Sequence, residues 1–148
     1  MTLYSQRDPR WRAVQLGTSG RSMAQIGCMV TSIAMLSDYF KPAVRPDDVV
    51  ITSKFTSGGL LIWGSLQLLG FKFSWRGYDR NDHEIMRHLK DKDLAVLLQV
   101  ADKTHWVVAT GRDFFSGLYK IADPLYGDRA TMKRYQDNIT GAAYFKRA

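Results

Sequence analysis

One cysteine, Cys28, serves a chain of 148 residues, so no intramolecular disulfide can form and a fold must rest on packing. A chain of this length can bury enough surface to do so. The shortage also argues against a cysteine-built zinc site, and His83 and His88 stand five residues apart, not the three or four that place a ligand pair on one helix face. No metal and no cofactor are expected. No apolar run approaches the roughly 20 residues that span a bilayer, and the opening Met1-Thr2-Leu3-Tyr4-Ser5-Gln6-Arg7-Asp8 has no apolar core or small-residue cleavage site of a signal peptide. The expectation is a protein with no membrane span, cytoplasmic or released without a signal peptide, for instance with a phage. Repeats, low-complexity tracts and linkers are absent as well, so residues 1–148 read as one domain.

Acids are outnumbered, 14 against 21 Lys and Arg, for a net charge of +7. Such an excess favours acidic partners, among them nucleic acid, anionic cell-wall polymers and acidic peptides. The bases are scattered from Arg7 to Arg147 and no basic run interleaves with aromatics, so no specific nucleic-acid partner is expected.

The elements change character midway. Residues 1–27 read as an ordered loop with aromatic anchors at Tyr4 and Trp11. A helix follows from about Cys28 to Tyr39, and Lys41-Pro42 ends it because the residue before proline disfavours helix. Pro46, Asp47 and Asp48 suit the first turn of a short helix. A further helical run is predicted from Ser57-Gly58-Gly59 through Leu69, stopped by Gly70. Phe71 to Trp75 alternates like a half-buried strand, and Asn81 or Asp82 can cap a helix carrying His83, Ile85, Met86, Leu89 and Lys90. Strands are then predicted over 94–100, 105–110, 118–123 and 142–146. Helices first and strands second argue α+β, with an antiparallel sheet.

Cys28 stands at a helix start, where unpaired N–H groups and the positive end of the helix dipole favour thiolate over thiol. A buried free cysteine that merely packs is the bland alternative. His105 and Asp123 bear on the choice. If residues 105–112 and 118–123 form a hairpin with a five-residue loop, paired positions sum to 230. His105 then shares a face with Asp123, diagonally within reach, whereas a one-residue slip would separate them. In that arrangement Cys28 attacks a carbonyl, His105 carries the proton, and Asp123 orients the imidazole and stabilises its cation. A backbone N–H at Cys28 and a glutamine amide would serve the oxyanion. Asp113, Asp128 and Asn138 are fallback orienters. His83 and His88 are expected on a solvated surface, Trp63 and Trp75 in the core, and Trp106 on the sheet face opposite His105.

These strings together resemble the C39-like branch of the papain-like cysteine peptidases, relatives of the domains that trim double-glycine leaders from bacteriocin precursors. Tyr4 to Trp11 looks like that group's N-terminal segment, Gly27 to Met35 like its nucleophile helix, His105-Trp106-Val107-Val108 with Gly111 like its histidine strand, and Ile121-Ala122-Asp123-Pro124 with Gly127 like its aspartate turn. The resemblance implies a papain-like fold, with the nucleophile helix packed on a C-terminal antiparallel sheet, and a triad of Cys28, His105 and Asp123. It makes Gln6 the oxyanion residue, although papain-like spacing six residues before the cysteine falls on Ser22, and Gln25 is a weaker substitute. Met29-Val30 departs from the Gly-Pro usual after the cysteine. The implied activity is cleavage of a peptide or isopeptide bond in a peptide or protein, with small residues before the cut. The same triad could instead hydrolyse cell-wall peptide as a phage or bacterial lysin, transfer an acyl group to an amine, or survive in an inactive peptide-binding module.

Overall fold

Strand residues dominate the second half of the chain, and what each strand buries explains its pattern. The computed structural model describes residues 1–66 and 69–148. In chain order these form α1 (Met23–Ile26), α2 (Cys28–Phe40), α3 (Pro46–Thr52), β1 (Phe71–Gly77), α4 (Asp82–Lys90), β2 (Leu94–Val100), β3 (His105–Arg112), β4 (Tyr119–Asp123), β5 (Asp128–Thr131) and β6 (Gly141–Arg147). Short 3₁₀ turns occur at Trp63–Ser65 and Met132–Tyr135. The strands make one six-stranded sheet in the order β1-β6-β2-β3-β4-β5, every neighbouring pair antiparallel. The architecture is α+β.

The sheet is covered on both faces, so β2 is a continuous apolar run and not an alternating one. Helix α2 packs on the face carrying Leu97, Trp106, Val108, Ala122 and Phe145, burying Val30, Ile33, Ala34 and Leu36. Ile85 of α4 joins the opposite face with Val96, Leu98, Val107, Ile121 and Tyr144. Asn81 caps α4, its side chain accepting a hydrogen bond from Glu84 N at 3.1 Å.

Two one-residue irregularities decide which way key side chains point. In β1, Phe73 pairs with Phe145 but Trp75 pairs with Tyr144, so Ser74 is an extra residue. A bulge of this kind flips the alternation. Phe73 lies on the α2 face, Trp75 crosses to the α4 face, and Arg76 returns to the α2 side opposite Ala143. Trp75 therefore stays 41% exposed, stacked on Tyr144; the expectation of a core residue is corrected. In the β3–β4 hairpin, Arg112 pairs with Tyr119, one position later than a five-residue loop implies, and a bulge at Thr110 compensates. Ala109↔Ile121 and Val108↔Ala122 accordingly sum to 230 as predicted.

Two further expectations fail. The described part of 57–70 is not an α-helix: Phe55 and Leu61 form an isolated bridge around a turn, and only Trp63–Ser65 is helical, as 3₁₀. Gly58, Gly59 at φ 84° and Gly64 carry the backbone freedom that turns use and helices lose. Gln67 and Leu68, part of that predicted helix, lie outside the described residues. His88 is buried, not solvated. Its Nδ1 meets the Glu84 carbonyl at 2.9 Å and its ring lies against Tyr144, while His83 is exposed as expected.

Candidate active site

Local geometry first fixes the cysteine. Ser22 and Gln25 form a capping box that starts α1, and Gly27 joins α1 to α2 through near-helical angles, leaving Cys28 as the first residue of α2. Space requires that glycine, because a Cβ at 27 would collide with the carbonyl oxygen and sulfur of the buried Met23. Gln25, the weaker oxyanion substitute, spends its Oε1 on the Ser22 N–H at 2.8 Å.

His105 begins β3 and Asp123 ends β4 on the shared face that the register demands. The His105 Nε2–H donates to Asp123 Oδ1 at 2.8 Å, which leaves Nδ1 for other partners. Cys28 is 9% exposed and His105 8%; both line one cleft, where the sulfur is near enough to favour the charged imidazole. Burial opposes a charged ring here, yet the Asp123 bond and the Cys28 sulfur outweigh it and the His105 pKa is pushed up to about 9.

Asp123 is fully buried and surrounded by donors. Its Oδ1 also accepts from Leu125 N at 3.0 Å; its Oδ2 accepts from Arg134 Nη1 at 3.0 Å and from the Tyr135 hydroxyl. Burial would raise this carboxyl, but bonds from His105, Tyr135 and Leu125 N overcome it and hold the pKa at about 2. Asp128 does not reach the histidine. It binds Arg134 through both oxygens, at 2.8 and 2.9 Å, and so steadies the guanidinium behind Asp123. Asp113 is occupied in the hairpin tip by Ser116 and Phe115 N, and Asn138 is exposed. Sequence reasoning missed Arg134 and Tyr135. They lie in a 3₁₀ turn after a strand that was not anticipated, and no spacing marks them.

Gln6 comes from the other end of the chain and is docked by the aspartate turn. Its backbone N–H donates to the Pro124 carbonyl at 2.7 Å, and Ser5 Oγ donates to the Leu125 carbonyl at 3.2 Å. Gly127, at φ 67°, is needed because a Cβ there would sit 3.0 Å from that of Ser5. Trp11, buried under Tyr4, pins the segment by donating its indole N–H to Ser5 O at 2.8 Å. The Gln6 side chain is 3% exposed; Nε2 donates to the Ala24 carbonyl at 3.1 Å, while Oε1 is buried with no partner. Gln6, Cys28 and His105 line one cleft of about 730 Å³, with Met29, Trp63 and Trp106 among its other walls. Trp63 is half-buried, so it belongs to the cleft wall as much as to the core. Trp106 is buried on the α2 face, opposite His105's side of the sheet, as its alternation implies.

Among the described residues no group of three His, Cys, Asp or Glu side chains could hold a metal ion, and no helix is long and apolar enough to cross a membrane. Chemically, the cleft presents a thiol beside an imidazole that is anchored through its far nitrogen to a buried carboxylate.

No protein-family model matches the sequence, and no curated protein matches it. Among solved structures, the fold is similar to the crystal structure of a double-glycine-motif protease from an AMS/PCAT transporter in complex with its leader peptide. The TM-score is 0.58 at 20% identity, covering 95% of this chain and 96% of that one. At that identity the likeness is one of fold.

Proposed function

We propose that residues 1–148 form a single papain-like, C39-like cysteine peptidase domain that cleaves a peptide or isopeptide bond through an acyl-enzyme. The observation that carries the reading is that Cys28, at the start of α2, shares one cleft with an imidazole whose Nε2 is fixed on buried Asp123. With Nε2 so occupied, Nδ1 takes the thiol proton. The thiolate attacks the scissile carbonyl, and the tetrahedral oxyanion is held by the Cys28 backbone N–H and the Gln6 Nε2 hydrogen not spent on Ala24. His105 Nδ1–H then protonates the departing amine, leaving a thioester on Cys28. Water, deprotonated by the same nitrogen, releases the acid and restores the thiol.

The similar protease is described as acting at a double-glycine motif and as bound to a leader peptide, which supports a peptide substrate with small residues before the cut. Met29, in the position where glycine is usual, lines the cleft and narrows the approach. A peptide-library screen of wild type against Cys28→Ala tests the reading. Wild type should cleave a subset of peptides and alanine none. Iodoacetamide labelling of Cys28 no faster than an unactivated thiol across neutral pH would instead indicate a binding module. Clearing of purified cell walls in a zymogram would move the substrate to cell-wall peptide, which the +7 charge would favour.

A further inference from the structure

Acids elsewhere in the chain take up cations: Asp8 holds Arg10, Asp38 holds Lys41, Asp47 holds Arg45, Glu84 holds Arg87, Asp93 holds Arg147, and Asp128 with Asp123 holds Arg134. Other cations, such as Arg12 and Arg129, have no such partner among the described residues, but those of the cleft share one concavity. Arg7, Arg21, Arg76 and Lys103 line it, no Asp or Glu does among the described residues, and none of the four cations has an ion-pair partner there. A concave site lined by one sign of charge concentrates ligands of the other sign.

Arg76 is the most built of the four. The bulge at Ser74 turns it to the cleft side of the sheet, where its guanidinium lies 4.9 Å from the Trp106 ring centre and 4.6 Å from that of Tyr78. The two rings hold the planar group in place, and Trp106 is the residue after His105. The Nε–H is nonetheless buried without an acceptor. A partly buried guanidinium flanked by two rings and without an ion-pair partner fits a carboxylate bound through two oxygens. We propose that the cleft selects substrates carrying a carboxylate close to the scissile bond, bound by Arg76 and drawn in by Arg7, Arg21 and Lys103. This specificity rests on the peptidase reading, but the charge selection can be measured without turnover.

The probes are iodoacetate and iodoacetamide, which alkylate the same sulfur and differ in carrying a carboxylate or a neutral amide. The readout is the ratio of their second-order rates at Cys28. In Arg76→Gln the iodoacetate-to-iodoacetamide ratio should fall about 3- to 10-fold, the scale of one lost partly screened ion pair, with iodoacetamide little changed. Arg76→Lys should keep part of the preference, exposed Lys120→Gln all of it, and added salt should erode it in wild type. Should Arg76→Gln fail to fold, Lys103→Gln and the wild-type salt series carry the test. An unchanged ratio in folded Arg76→Gln, or a wild-type ratio indifferent to salt, overturns the proposal. Protection of Cys28 by acetylated, amidated pentapeptides containing Glu, against the same peptides with Gln and a free C-terminus, assigns the carboxylate to a side chain or a chain end; equal protection by fully neutral peptides also overturns it. Slow iodoacetamide labelling with a salt-sensitive ratio lost in Arg76→Gln would defeat the peptidase reading while leaving the carboxylate site standing.

Discussion

Asp123→Asn removes one charge and replaces one acceptor oxygen with a donor inside a shell made wholly of donors. Two orientations are open to the amide. With Nδ2 in the Oδ1 position it would face the His105 and Leu125 N–H groups. In the Oδ2 position it meets Arg134 and Tyr135, and the hydroxyl can turn to accept while Arg134 keeps both Asp128 oxygens. The second is cheaper, yet leaves one N–H of Arg134 against a donor. A buried unsatisfied donor costs about 1–3 kcal/mol, and the lost buried ion pair brings the total to about 3–5 kcal/mol. At 2–4 °C per kcal/mol for a chain of this size, the melting temperature should drop by about 6–20 °C near neutral pH. The pH dependence is the sharper test. Asp123 is held at about 2, so its ionised form stabilises the fold fully above its ordinary range near pH 4, a contribution lost as pH falls through 2. His105 is raised to about 9, so its charged form stabilises the fold fully below pH 6.5 and that contribution is lost as pH rises through 9. The gap between wild type and Asp123→Asn should be widest from about pH 4 to 6.5 and close on both sides. Thermal denaturation followed by circular dichroism across pH 2–10 measures it. A gap that stays flat with pH would refute the reasoning even if the variant is less stable.

Three other changes carry distinct signatures. Gln6→Ala should lower turnover about 10²- to 10³-fold, as loss of one oxyanion donor does, while KM moves little; an unchanged kcat on a cleaved peptide removes Gln6 from the oxyanion site. Gly27→Ala should cost about 1–3 kcal/mol from overpacking against Met23 and slow Cys28 alkylation as α2 shifts, both read from denaturant unfolding and labelling rates. Burial lowers the His88 pKa, so this ring favours the fold above pH 6.5 and withdraws that support as pH falls toward its folded value; His88→Leu should abolish the acid-side loss of stability that begins near pH 6.5, and an identical slope in both proteins would contradict it.

The site was legible where chemistry constrains residue type and the backbone constrains direction. Cys28 after Gly27, and His105 facing Asp123 across a hairpin, follow from helix starts and strand alternation. The hairpin also shows how an argument can reach the right partners by compensating steps: the loop is one residue longer than assumed, and the Thr110 bulge restores the register before His105. The Ser74 bulge has no such offset, so Trp75, expected in the core, turns to the α4 face and stays half-exposed, while Arg76 turns to the α2 side. A leucine-rich stretch from residue 57 read as helix because apolar spacing was weighed above three glycines. Arg134 and Tyr135 reach Asp123 only through the tertiary path of β5 and its following turn, which local pattern does not encode. His88 differs: it lies one turn from buried Ile85 on the same face of α4, so helical spacing alone places it toward the sheet, where its ring meets Tyr144.

The central claim is that sulfur and imidazole interact directly, and the NMR titration of the His105 ring in wild type and Cys28→Ala tests it most directly. The wild-type ring should titrate near pH 9, and removing the sulfur, one of the two groups holding it up, should bring the midpoint down while Asp123 keeps it above the ordinary 6.5. A ring that titrates at the same pH with and without Cys28 would contradict the claim.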